Sequence, residues 1–239
     1  MSRFFSKTFD SYKIRNEEKI NYKSKIFIAY EGVKTEAKYF NMICEKNKDS
    51  LESKVEIFPI DRKKSDGKSH PTYVRDGLIE YYKDEIKDKF DKKSDSLWIV
   101  IDIDNHFEKG NYLSSKNNFL EYLESLNLKN GIKINIAISN PSFELWQILH
   151  YESPIDLNLE KLKLNKKVSK TKTYIKSHLS QLCNEDKEKR KISNYYKLTN
   201  VAIKNSEFKV LAQTNEETFD RVGTTVSDLF KVVFKNNKL

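Results

Sequence analysis

Asp102 and Asp104 stand two residues apart at the end of an apolar run, Leu97-Trp98-Ile99-Val100-Ile101. On an extended strand residues i and i+2 share a face, so both carboxylates project side by side. Like charges held together repel, and buried carboxylates either find partners or shift their pKa. A divalent cation resolves the conflict, and hard oxygen donors select Mg²⁺, Mn²⁺ or Ca²⁺. The competing explanation is that the pair caps helices or meets lysines from elsewhere in the chain. Glu31 ends a second apolar run, Ile26-Phe27-Ile28-Ala29-Tyr30, and is followed by Gly32, whose backbone can turn sharply or approach a ligand closely. Glu36 and Glu144 extend the acidic set. Each falls in the first turn of an expected helix, where the macrodipole alone would favour an acid. Lys34 offers a cation for a phosphate or a leaving group, or merely a solvated surface charge.

These residues can act together only if the fold gathers them. Runs 26–30, 55–60, 97–101 and 132–138 read as strands, and 35–47, 71–90 and 117–126 have helical spacing. Asn140-Pro141 suits the cap and first position of another helix. Strands alternating with helices up to about His150 predict an α/β fold with a parallel sheet flanked by helices. Ligands of such sheets sit at the carboxyl ends of the strands, where Glu31, Asp102, Asp104 and Glu144 all fall. Beyond His150 helical patterns cover 171–185, 193–204 and 217–234, with a weak strand signal at 208–212. The expected organisation is a polar arm over 1–24, an α/β domain over 25–150 and a basic helical extension over 151–239.

Composition narrows the function classes. The 239 residues carry a net charge of +9, and between Glu160 and Val210 fourteen Lys or Arg face five Asp or Glu. That one segment therefore holds the whole excess, which fits a polyanionic partner such as nucleic acid. Lys166, Lys167, Lys170, Lys172 and Lys176 lie close together within it, and spacings of three and four would put several on one helical face. A solvated surface, or lysine enrichment from biased codon usage, explains the same numbers. Cys44 and Cys183 are too few for a disulfide framework or a cysteine-rich zinc site. No run of eighteen apolar residues exists, and the N-terminus has charges where a signal peptide needs its apolar core, so a cytoplasmic protein without membrane contact is expected. There is no complete P-loop, no G-x-G-x-x-G, no nucleophile elbow and no H-E-x-x-H. The four histidines are scattered. His106, just past the acidic pair, could assist chemistry or be an ordinary loop residue.

A Glu-Gly after the first strand and an Asp-x-Asp after a later one resemble the Toprim domain of topoisomerases, bacterial primases, recombination proteins and overcoming-lysogenization-defect nucleases. Within that group the chain resembles the RloB family, which also includes the second component of the AbiL abortive-infection system. The stretches that carry the resemblance are IFIAYEGVKTEAKYF, WIVIDIDNH, ISNPSFELWQILHY and VGTTVSDLF. The resemblance implies a Toprim-like sheet with a C-terminal helical extension, and a Mg²⁺- or Mn²⁺-dependent nuclease of anti-phage defence. It also implies an ABC/AAA-type ATPase partner encoded alongside; homo-oligomer formation is left open. Glu31, Asp102 and Asp104 match the Toprim acids, and Glu144 the glutamate of an Asn-Pro-x-x-Glu motif, with Glu36 the nearest counterpart of a further acid. The family's last motif begins Asn-Pro, where this chain has Val222-Gly223. A metal-binding module that gates the ATPase without cutting nucleic acid is the alternative.

Overall fold

The computed structural model describes residues 24–32, 34–48, 55–60, 70–103, 106–107, 110–128, 131–185 and 193–235. Within them a five-stranded sheet has the order β2-β1-β3-β4-β5. Its strands are β1 (Ser24–Tyr30), β2 (Val55–Ile60), β3 (Ser96–Asp102), β4 (Ile134–Asn140) and the short β5 (Gly223–Thr224). β1 pairs in parallel with β2 and β3, and β3 in parallel with β4, as the strand–helix alternation predicts. β5 closes the β4 edge and runs antiparallel to it.

Apolar side chains alternate through the central strands, so both sheet faces are covered. On one face Ile26, Ile28, Tyr30, Trp98 and Val100 pack against α1 (Thr35–Lys48), α4 (Glu144–Ile148) and the C-terminal helices. On the other, Phe27, Ala29, Leu97, Ile99 and Ile101 meet α2 (Pro71–Tyr81) and α3 (Tyr112–Glu124). Burial on both faces is what a parallel sheet requires of its strands. The helix starts are chemically marked. His70 caps α2 by accepting from the Thr72 amide, Pro71 takes the first position, and Asn111 caps α3 by accepting from Ser114. After α5 (Leu159–Leu164) come α6 (Tyr174–Glu185), α7 (Ser193–Ser206), α8 (Asn215–Asp220) and α9 (Val226–Lys235).

Several local expectations need correction. The helix expected over 71–90 is α-helical only to Tyr81, then widens to a π turn over 82–86 and tightens to a 3-10 turn over 87–89. Asn140 does not cap a helix. It belongs to β4, pairs with Gly223 and donates its side-chain amide to the Thr218 carbonyl, and the helix starts only at Glu144. The Asn140–Pro141 peptide is cis. The helix expected over 217–234 is two helices separated by β5. The β-branched pair Thr224-Thr225 breaks it by bonding to β4: Ile138 N donates to Thr225 Oγ1, Thr225 N donates to the Ile138 carbonyl, and the Ser139 and Thr224 hydroxyls meet at 2.9 Å. The weak strand signal at 208–212 reduces to one bridge, Ala212 to Gly223. The segment after 150 thus joins the sheet itself. The lysines at 166–172 lie on no helix. Asn165 adopts the left-handed conformation that ends α5, and the chain folds into a hairpin tied by Val168 N to Lys172 O and Tyr174 N to Lys166 O.

Candidate active site

The strand order reverses at β1, which has β2 on one side and β3 on the other. The crevice at the carboxyl ends of β1 and β3 is therefore the topological switch point, where open α/β sheets bind ligands. Glu31 lies there. Its amide continues the pairing of β1 by donating to the Val100 carbonyl at 3.1 Å. Its carboxylate is buried, with Oε2 accepting from the Asp102 amide at 3.3 Å and Oε1 from His106 Nε2 at 2.7 Å. Asp102, the last residue of β3, is half-buried and in register with Ser139 of β4. Asp104, the expected companion of Asp102, lies outside the described residues.

Glu36 enters from the first turn of α1 and is buried. Its carboxylate lies over Gly32 and accepts from the Gly32 amide and from its own. A Cβ at Gly32 would overlap that carboxylate, so glycine here makes room for an acid. Burial, then the charges of Glu144 and Glu31, push the Glu36 carboxyl up to about 7, against backbone hydrogen bonds that pull it down. Glu144, the first residue of α4, is likewise buried; Oε2 accepts from the Ser142 hydroxyl at 2.7 Å, and Oε1 lies 3.8 Å from Lys176 Nζ. Glu31 and Glu144 thus lie near enough for their charges to act on Glu36, although the three come from separate stretches of chain. The packing of one sheet face positions them, since α1 and α4 both lie on the face of Trp98 and Val100.

Lys34 is exposed in the turn that opens α1. Lys166, Lys167, Lys170 and Lys172 are exposed on the hairpin, and Lys172 Nζ donates to Ser180 Oγ at 3.1 Å. Lys176 differs from these four. It sits in the first turn of α6 with its amine beside Glu144, joining the basic surface to the acidic one. Sequence spacing underrated His106. The strand ends at Asp102 and His106 lies in a turn, so no strand periodicity marked it; its closeness in sequence to Asp102 was the available signal.

Among the described residues, no three His, Cys, Asp or Glu side chains are already gathered in a metal-holding arrangement. The chemistry of the donors nevertheless fits a hard divalent cation. They are carboxylates, buried, and mutually repulsive enough to raise Glu36, and a cation among them removes that repulsion. No helix of the described residues is long and apolar enough to cross a membrane. No curated protein and no solved structure matches the chain. The RloB-like protein family matches residues 26–233, nearly the whole described length, and the chain belongs to that family.

Proposed function

We propose that this chain is a metal-dependent endonuclease that hydrolyses phosphodiester bonds of nucleic acid in the cytoplasm. In this reading it is the effector of an anti-phage abortive-infection system that includes an ABC/AAA-type ATPase. The observation that carries the catalytic part is that Glu31, Glu36 and Glu144 are all buried, and that Glu36 is raised by burial and by the charges of the other two. The defence context rests on membership of the RloB-like family.

Glu31, Asp102 and Asp104 would hold Mg²⁺ or Mn²⁺, with Glu144 and Glu36 serving a second position. Such a cation, when bound, would supply charge to the scissile phosphate and lower the pKa of a bound water. The chain's own groups do the rest. The hairpin lysines hold the phosphate backbone through contacts that carry no sequence information. Lys176 bridges that grip to Glu144, while Ser142 holds the other Glu144 oxygen. Lys34, exposed beside the Glu31-Gly32 turn, offers positive charge to the leaving oxygen.

The test incubates the purified chain with plasmid DNA and with total RNA, in Mg²⁺, Mn²⁺ or EDTA, alone and with the neighbouring ATPase. Cutting that needs a divalent cation supports the reading, and the two substrates separate DNA from RNA. Absence of cutting under every condition, with altered ATP hydrolysis by the partner, would replace it with a non-catalytic metal-binding module that gates the ATPase.

A further inference from the structure

We propose that His106 is a positioning residue for Glu31, fixing the orientation of its carboxylate towards the cation site, and that His70 fixes His106 in turn. The inference rests on reading Glu31 as a metal ligand. A glutamate has a long, rotatable side chain, and Glu31 must be held from outside if it is to present an oxygen in one direction. Two contacts do this. The Asp102 amide holds Oε2 at 3.3 Å, and the His106 Nε2–H donates to Oε1 at 2.7 Å, the short range of hydrogen bonds to a carboxylate. Each oxygen has a second lone pair, so neither contact closes the carboxylate to a cation.

His106 lies just beyond β3 and is itself anchored. The His70 ring stands edge-on to the His106 ring with centroids 5.7 Å apart. Its Nδ1 accepts from the Thr72 amide at 3.3 Å, which leaves the proton on Nε2. Nε2 donates to the His106 carbonyl at 3.1 Å. A chain of contacts therefore runs from the start of α2 through His70 and His106 to Glu31, tying the start of a helix on one sheet face to the acidic edge. Partners behind a ligating group commonly control metal affinity 10–100-fold without touching the metal.

Mn²⁺ binding to the full chain, measured by titration calorimetry beside melting curves in EDTA, tests the assignment. His106→Ala should weaken Mn²⁺ binding by about 10–100-fold while its melting temperature in EDTA stays that of the unmodified chain. His106→Gln, which keeps an N–H donor of similar reach, should recover most of the affinity. His70→Ala should weaken binding in the same direction by less. Unchanged Mn²⁺ affinity in His106→Ala, or a glutamine variant no better than alanine, would overturn the positioning role and leave the metal reading standing. An unmodified chain that binds no Mn²⁺ would overturn both. Should the alanine variant fail to fold, the glutamine and His70 variants decide the matter by the same comparison.

Discussion

Burying a carboxylate is costly, and Glu31, Glu36 and Glu144 are three buried carboxylates whose charges act on one another through Glu36. The chain keeps them because each has a separate anchor: His106 and the Asp102 amide for Glu31, the Gly32 amide for Glu36, Ser142 and Lys176 for Glu144. Replacing Glu31 by Ala should leave nucleic-acid binding in place and lower cation-dependent cutting by more than about 100-fold, beyond the usual cost of losing an outer partner. Filter binding and single-turnover cleavage on the same preparation check it; parallel loss of binding and cutting would make Glu31 structural. Gly32→Ala tests the same edge from the backbone side. Its methyl would displace the Glu36 carboxylate, so cation affinity should fall with little loss of fold, as calorimetry and circular dichroism would report.

Another buried titratable group has a purely structural consequence. His150 donates from Nδ1 to the Trp146 carbonyl, and its Nε2 meets the Tyr39 hydroxyl, which also accepts from the Trp146 indole. Burial, against backbone hydrogen bonds that raise it, pushes the imidazole down to about 3 from its ordinary 6.5. The unfolded chain therefore takes up this proton first as pH falls. Stability is complete above about 6.5 and is lost progressively towards 3, at about 1.4 kcal/mol per pH unit for one proton. Urea denaturation at pH 7 and pH 5 should differ by about 2 kcal/mol more in the unmodified chain than in His150→Gln. Equal pH dependence in both would show that burial does not shift the imidazole and that it titrates alike in the folded and unfolded chain.

At the scale of elements, the long apolar strands were legible and the short polar ones were not. Leu97–Ile101 is apolar at every position because both faces of β3 are covered, and that pattern has one reading. Asp102 at its end was likewise visible, since an acid closing such a run lacks a packing reason. β5 is two residues long, too short for any alternation to register, and its place depends on Thr224 and Thr225 finding β4 from far along the chain. The meeting of Glu36 with Glu144 is tertiary in the same sense, as each residue alone looks like an ordinary first-turn acid. The lysines misled through composition. Their spacing allows a helix, but the left-handed Asn165, the Ser169 hydroxyl accepting from Lys172 N, and the Val168–Lys172 bond make a hairpin.

That hairpin makes a separable prediction. Reversing Lys166 and Lys167 together should weaken nucleic-acid binding and lower the log–log salt slope by about one unit per lost phosphate contact, with cutting at saturation retained. Lys176→Glu should behave differently, because it places a fourth acid beside Glu144 and should depress cutting even at saturating substrate. A salt slope unmoved by the double reversal would make the lysines solvated charge only.

Across the whole molecule, the sheet is finished by residues more than eighty positions beyond β4. α9 packs Val226, Leu229, Phe230 and Val233 into the same core as Trp146 and Tyr39, and Gly223 lets β5 approach the Ala212 backbone. A Cβ there would come within 2.6–2.8 Å of Ala212 atoms, so Gly223→Ala should cost about 1–3 kcal/mol by overpacking. The loss should appear in one cooperative unfolding transition; an unchanged midpoint would show that β5 contributes nothing to the sheet. Lys176, on the helix that follows the lysine hairpin, links the basic segment to the acidic edge through Glu144. The most direct measurement is cleavage of plasmid and total RNA by the unmodified chain and by Asp102→Ala, each with and without the proposed ATPase partner, in Mg²⁺, Mn²⁺ and EDTA. The account predicts cutting by the unmodified chain only when a divalent cation is present, and none by a variant whose circular dichroism and melting temperature are unchanged. Cutting by Asp102→Ala at the unmodified rate would contradict it.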